Sequence, residues 1–159
     1  MFGNARCRKS PKGAVAAVLA LGLSACVAAR PPQLASAPPI PAGDARLWFY
    51  RDFLPDDTWT EPAIAMNGGY VGLGIPGTSF YRDVPAGGYH ITVDSYGRDL
   101  YQFQDVAVRP GQQQFIKIQS LPSWEHDNRN YRRPTYYVAV MPPQIAALEM
   151  SQTNFSGNY

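Results

Sequence analysis

A thiol, two imidazoles and a cluster of guanidinium groups are the side chains here with chemistry to offer. Cys26 ends the run Leu23-Ser24-Ala25-Cys26. Small residues ahead of a cysteine, closing an apolar stretch, read as a bacterial lipobox. The thiol takes a lipid and the preceding segment is then cut away. The flanks agree: Arg6, Arg8, Lys9 and Lys12 form a positive leader, and residues 14–25 are 12 uncharged residues. That run is too short for a bilayer core of roughly 30 Å, which takes about 20 apolar residues. Residues 1–25 are therefore expected to be a lipoprotein signal peptide, with Cys26 as the lipidation site. The alternative is an ordinary cleaved signal peptide whose Ala-rich end happens to hold a cysteine. Val27, not an aspartate, follows Cys26. In a double-membrane bacterium this predicts the periplasmic face of the outer membrane.

The imidazoles are His90 and His126. His90 shares a strand parity with Asp94, but two ligands do not make a metal site. Glu125-His126-Asp127 is denser and lies in a polar loop, where one imidazole between two acids is ordinarily solvated. Neither Gly-x-Ser-x-Gly nor a spare mature cysteine supplies a nucleophile. Gly72-Leu73-Gly74-Ile75-Pro76-Gly77 is followed by no helix whose N-terminus could take a phosphate, so it reads as a turn. Asp56-Asp57 and Glu61 share a loop that lacks the apolar setting an acid–base carboxyl pair needs. No catalytic residue, cofactor or metal is expected.

The guanidinium groups lie in residues 121–134, with Trp124, Arg129, Tyr131, Arg132 and Arg133. Trp, Tyr and Arg dominate contact energies at interfaces, so this insert is the expected partner-binding surface. The competing reading folds Trp124 and Tyr131 back on the core and leaves the arginines solvated. The second choice of surface is the outer parity of the first strand, Trp48 and Tyr50.

Composition bounds what must position these groups. The chain has 159 residues, 14 basic and 12 acidic. Removing the leader leaves ten bases against twelve acids, a net charge of −2, so the basic pI carries no sign of nucleic-acid binding. Cys7 leaves with the leader, so no disulfide staples the domain. Residues 27–43 hold five prolines and one charge, and predict a polyproline spacer about 3.1 Å per residue long, reaching roughly 50 Å.

Beyond residue 43 the pattern is β throughout, as eight strand candidates. They cover residues 46–53, 63–66, 70–73, 79–84, 89–96, 101–108, 113–119 and 135–141. Asn67-Gly68-Gly69 is a hairpin signal, and Pro85-Ala86-Gly87-Gly88 and Arg109-Pro110-Gly111-Gln112 read as two further hairpin turns. These last two are similar enough to suggest a weak internal repeat, although strand–Pro–Gly–strand is also common punctuation. Alternation points Tyr89, Ile91 and Val93 inward and His90, Thr92 and Asp94 to water, and sets Ile116 and Ile118 against Lys117 and Gln119. A bulge near Gln104-Asp105 would bring both Tyr101/Phe103 and Val106/Val108 into the core. Pro142-Pro143 open a short helix whose apolar face is Ile145, Leu148 and Ala146. Residues 151–159 are polar and predict a flexible tail. The expected fold is an all-β antiparallel sandwich of about seven or eight strands over residues 44–150, with a short C-terminal helix.

Ala45-Arg46-Leu47-Trp48-Phe49-Tyr50-Arg51, Met66-Asn67-Gly68-Gly69-Tyr70-Val71-Gly72 and Phe80-Tyr81-Arg82-Asp83-Val84-Pro85-Ala86-Gly87 resemble the bacterial lipoproteins catalogued as domain of unknown function 2846. So do Val108-Arg109-Pro110-Gly111-Gln112, Phe115-Ile116-Lys117-Ile118 and the C-terminal Ala-Leu-Glu-Met. The resemblance covers nearly all of residues 45–150 and implies a prealbumin-like or PEGA-like β-sandwich, with no catalytic residues to carry over. The insert at 121–134 departs from the simplest pattern. The expected function is a lipid-anchored, non-catalytic envelope module that contacts protein or glycan. The alternative is a periplasmic small-ligand-binding protein, and a metal-dependent hydrolase is more distant. Nothing in the residues sets an oligomeric state.

Overall fold

The computed structural model describes residues 32–55, 58–95, 101–122 and 134–158. A short helix α1 (Pro32–Ser36) precedes β1 (Asp44–Arg51), β2 (Ala63–Met66), β3 (Gly69–Leu73), β4 (Thr78–Pro85), β5 (Gly87–Val93) and β6 (Phe103–Val108). β7 (Gln113–Pro122), β8 (Pro134–Met141), α2 (Pro143–Met150) and β9 (Asn154–Asn158) follow. The strands make a five-stranded sheet, β8-β7-β1-β4-β9, and a four-stranded sheet, β3-β2-β5-β6. The two sheets form the expected sandwich. The smaller sheet is antiparallel, whereas β1–β7 and β4–β9 in the larger one pair in parallel.

β1 sits at the centre of the larger sheet, and seven of its eight residues are buried. Its unbroken aromatic run explains this: a strand covered on both sides has no polar parity. Ala45, Leu47 and Phe49 face the other sheet, in a core with Ile64, Phe80, Ile91, Ile116, Ile118 and Val138. Trp48 and Tyr50 face the opposite way, and they are not the exposed patch the sequence suggests. Trp48 is 0% exposed and Tyr50 2%, because Ala146 and Met150 of α2, with Leu34 and Ala37, roof that face. Lys117, expected in water, is buried on the same side.

Only one of the three expected hairpins holds. Asn67 and Gly68 take φ of 51° and 80°, the two positive values a type I′ turn needs. At the other two sites the chain changes sheets. Residues 85–87 pass from β4 to β5, and residues 109–112 pass from β6 back to β7. Both crossings lie at the same end of the sandwich and bond to the start of β1: Ala86 N–H donates to Gly43 C=O at 3.3 Å, and Gly111 N–H to Asp44 C=O at 2.7 Å. The apparent repeat is thus two arches making one kind of crossing.

Four other expectations are corrected. β6 pairs with β5 in unbroken register from Gly87↔Val108 to Thr92↔Phe103, so no bulge turns Phe103 inward; Val106 and Val108 alone reach the core. α2 begins at Pro143 as expected, but it buries Ala146 and Met150 and turns Ile145 and Leu148 outward. Residues 154–158 are no loose tail, since they pair with β4. Thr153 Oγ1 donates to Ser79 Oγ at 3.0 Å, and Phe155 stacks on Tyr81 at 5.9 Å. Finally, residues 27–43 are not wholly a spacer. Part of that stretch is α1, and from Leu34 onward the chain is docked on the sandwich.

Candidate interaction face

The two outer faces differ in kind. Both helices pack on the larger sheet, while the smaller sheet turns a side-chain row to the outside. Tyr70 pairs with Ala65, Ala65 with Thr92, and Thr92 with Phe103. Strands are about 4.8 Å apart, so the two rings stand roughly 14 Å apart across a floor of two small side chains. Tyr70 is 64% exposed and Phe103 47%. The alternation that buries Ile91 and Val93 leaves this row no other direction.

Beside the row lies His90. Its Nδ1 is 2.7 Å from Asp105 Oδ1 across the β5–β6 pair, and its ring centroid is 5.1 Å from that of Phe103. Its partner is therefore the cross-strand Asp105, not Asp94 on its own strand. The backbone around it is pinned by Asn67: Asn67 N–H donates to His90 C=O, and His90 N–H to Asn67 Oδ1, both at 2.8 Å. With Nδ1 taken up by the carboxylate, Nε2 is the ring nitrogen left for a further polar contact. Among the described residues no group of three or more His, Cys, Asp or Glu side chains is placed to hold a metal. Together the face offers two aromatic rims, a flat floor and a hydrogen-bonding corner.

A second exposed aromatic group crowns the end of the sandwich opposite the arches. Phe53 and Trp59 pack at 5.5 Å between ring centroids, and Trp59 is 76% exposed. Arg51 holds residues 58–60 from beneath. Its Nη1 donates to Thr60 C=O at 2.7 Å and to Gly74 C=O at 2.9 Å, and Nη2 to Thr58 C=O at 2.7 Å. Its guanidinium also lies 5.0 Å from the centre of the Tyr136 ring. Pro122 and Pro134, from which the insert leaves and to which it returns, are paired at this same end.

Under α2 lies a buried ionic network. Lys117 Nζ is 2.5 Å from Asp52 Oδ2 and 2.7 Å from Glu149 Oε1, and Tyr50 Oη donates to Glu149 Oε2 at 2.6 Å. Burial and then the bond to Glu149 push the Tyr50 hydroxyl far above its ordinary pKa. Burial lowers Lys117, but its bonds to Asp52 and Glu149 outweigh that and raise it. The network fastens α2 to the sheet. Between the sheets, beside Tyr50, Ile64, Phe80 and Ile118, there is no room for a water molecule.

Cys26, Trp124, Arg129, Tyr131, Arg132 and Arg133 all lie outside the described residues, as do Asp56-Asp57 and Glu125-His126-Asp127. Sequence reasoning missed the Tyr70–Phe103 row, because it joins residues of four strands whose pairing local alternation does not give. The sequence places Phe103 in the core, and Tyr70 lies beside a break in register between Ile64 and Ala65. No protein-family model and no curated protein matches the chain.

Proposed function

We propose that this chain is a lipid-anchored protein of the bacterial cell envelope, and that it works as a non-catalytic module holding a protein or glycan partner. The anchor reading is supported by the Leu23-Ser24-Ala25-Cys26 motif and its flanks. The observation that carries the binding reading is the open outer face of the smaller sheet. Two exposed rings flank small residues on a rigid strand ladder, with His90 and Asp105 at the corner. An aromatic patch rimmed by polar groups is the usual mark of a contact surface. Beside Tyr50, Ile64, Phe80 and Ile118 the packing leaves no room even for water, which supports a partner bound on the outside over a small ligand held at that place.

The test is site-specific photocrosslinking in cells from position 92, between the two rings, beside a parallel set from position 124. Capture of a discrete species from Thr92, lost in the Tyr70→Ala/Phe103→Ala variant, is expected. The double variant should fold normally and lose at least ~2 kcal/mol of partner affinity. Capture from position 124 alone would move the partner surface to the insert.

A further inference from the structure

The roof over the larger sheet has an unusual outside. Residues 32–43 and 142–158 contain one ionisable side chain, Glu149, and that carboxylate is turned inward onto Lys117 and Tyr50. A surface helix ordinarily presents charges to water; α2 presents none. Its outward side carries Leu148, 65% exposed, and Ile145, 45% exposed, three residues apart and so on adjoining positions. Phe155 is also partly exposed on this face of the sheet, against Tyr81 and Trp48.

The chain reaches the domain on this same face. Leu34 and Ala37 pack on the Trp48–Met150 cluster, and Arg46 Nη1 donates to Pro38 C=O at 2.8 Å. The docked chain therefore begins by Leu34, eight residue steps from Cys26, which can span at most about 29 Å when fully extended. A lipid on Cys26 thus draws the roofed face toward the bilayer, while the Tyr70–Phe103 row lies on the far side of both sheets.

We propose that the roofed face rests on the bilayer that holds Cys26, with Ile145, Leu148 and Phe155 at the lipid surface and the Tyr70–Phe103 face turned away. This rests on the reading of Cys26 as a lipidated residue. The lipid supplies attachment and the neutral apolar face supplies orientation, a division in which the second contact gains from the effective concentration set by the first. Because the roof segments turn no charged side chain outward, and the Arg46–Asp83 and Lys117–Asp52 charges beneath are paired, the contact depends little on salt or on the fraction of anionic lipid.

The experiment uses the full mature chain, acylated in cells and reconstituted into phosphatidylcholine vesicles, with a nitroxide at Leu148→Cys, Ile145→Cys or Tyr70→Cys in separate samples. Positions 148 and 145 are expected to collide with oxygen, relative to a water-soluble nickel complex, severalfold more often than position 70. The difference should persist in high salt and with anionic lipid added. Vesicle-bound protein in which position 148 is as water-accessible as position 70 overturns the inference and leaves the anchor standing. Dipolar coupling between two 148 labels would show a second copy on this face and also overturn it. A mass showing unmodified Cys26 overturns the anchor and the inference together.

Discussion

Arg46 and Asp83 face each other across β1 and β4 as a two-pronged pair, Nε to Oδ1 at 2.6 Å and Nη2 to Oδ2 at 2.7 Å. The guanidinium lies 4.0 Å from the centre of the Tyr81 ring, and its remaining nitrogen holds Pro38 C=O. One side chain thus joins the two central strands to the segment that precedes them. A planar fork does this where an ammonium cannot.

Arg46→Lys should therefore cost more than a conservative exchange. The pair is largely withdrawn from water; a lysine keeps the charge but loses the second prong and the bond to Pro38 C=O, a cost of about 1–3 kcal/mol. Urea unfolding should show a loss on that scale. Amide exchange around residues 34–40 should accelerate beyond what the global loss explains, because the hold on Pro38 goes too. Exchange that speeds up only in proportion to global stability would mean the segment is docked by Leu34 and Ala37 alone.

Gly72→Ala tests the packing between the sheets. A Cβ at that position would stand 2.6 Å from Phe80 Cζ, and Phe80 is itself stacked on Phe49 at 5.2 Å. The ring is buried and must shift against Phe49, so overpacking of about 1–3 kcal/mol is expected. At Gly68 a Cβ meets nothing within 4 Å, but φ is +80°, so Gly68→Ala should cost only about 1–2 kcal/mol of left-handed strain. Chemical denaturation of the two variants decides the order.

The final strand gives a third test. A stop after Gln152 removes the Thr153–Ser79 contact, the β4 ladder and the Phe155 ring that leans on Trp48 and Tyr81. It bares the edge of β4 along an aromatic surface, the kind of edge that pairs with other chains. The truncated protein should unfold at lower urea and run as dimers or larger species by light scattering. A monomer of unchanged stability would show that β9 is an ornament on a complete sheet.

These elements mark where the sequence was legible. Alternation in residues 89–93 places Ile91 and Val93 inside and His90 outside, because one side of that sheet faces water and the period of two is unmasked. The fold class and Asn67-Gly68 were readable for similar local reasons. The sheet crossings were not, since a Pro-Gly turn that folds a hairpin and one that folds an arch use the same residues. Residues 154–158 were missed because a short polar segment becomes a strand only when an edge such as β4 offers it a ladder. Lys117 reads as a solvated lysine until α2 arrives from 32 residues away to bring Glu149. The aromatic row needed pairings across four strands, which local pattern cannot supply.

The buried network makes the last prediction, an alkaline one. Tyr50 and Lys117 both titrate higher in the folded chain than their ordinary values near 10 and 10.5. For each the fold favours the protonated form, so the stabilisation is complete below about pH 10 and drains away as the pH climbs through the folded pKa values. Urea midpoints should be level from pH 7 to about 9.5 and then decline. Glu149→Gln keeps an oxygen to accept the Tyr50 proton but removes one of the two charges that hold Lys117. It should lower stability at neutral pH and flatten the alkaline decline, because both folded pKa values fall back toward their ordinary ones. A variant that declines as steeply as the parent would show that the alkaline loss comes from groups outside this network, and that Glu149 fastens α2 by hydrogen bonding and not by charge.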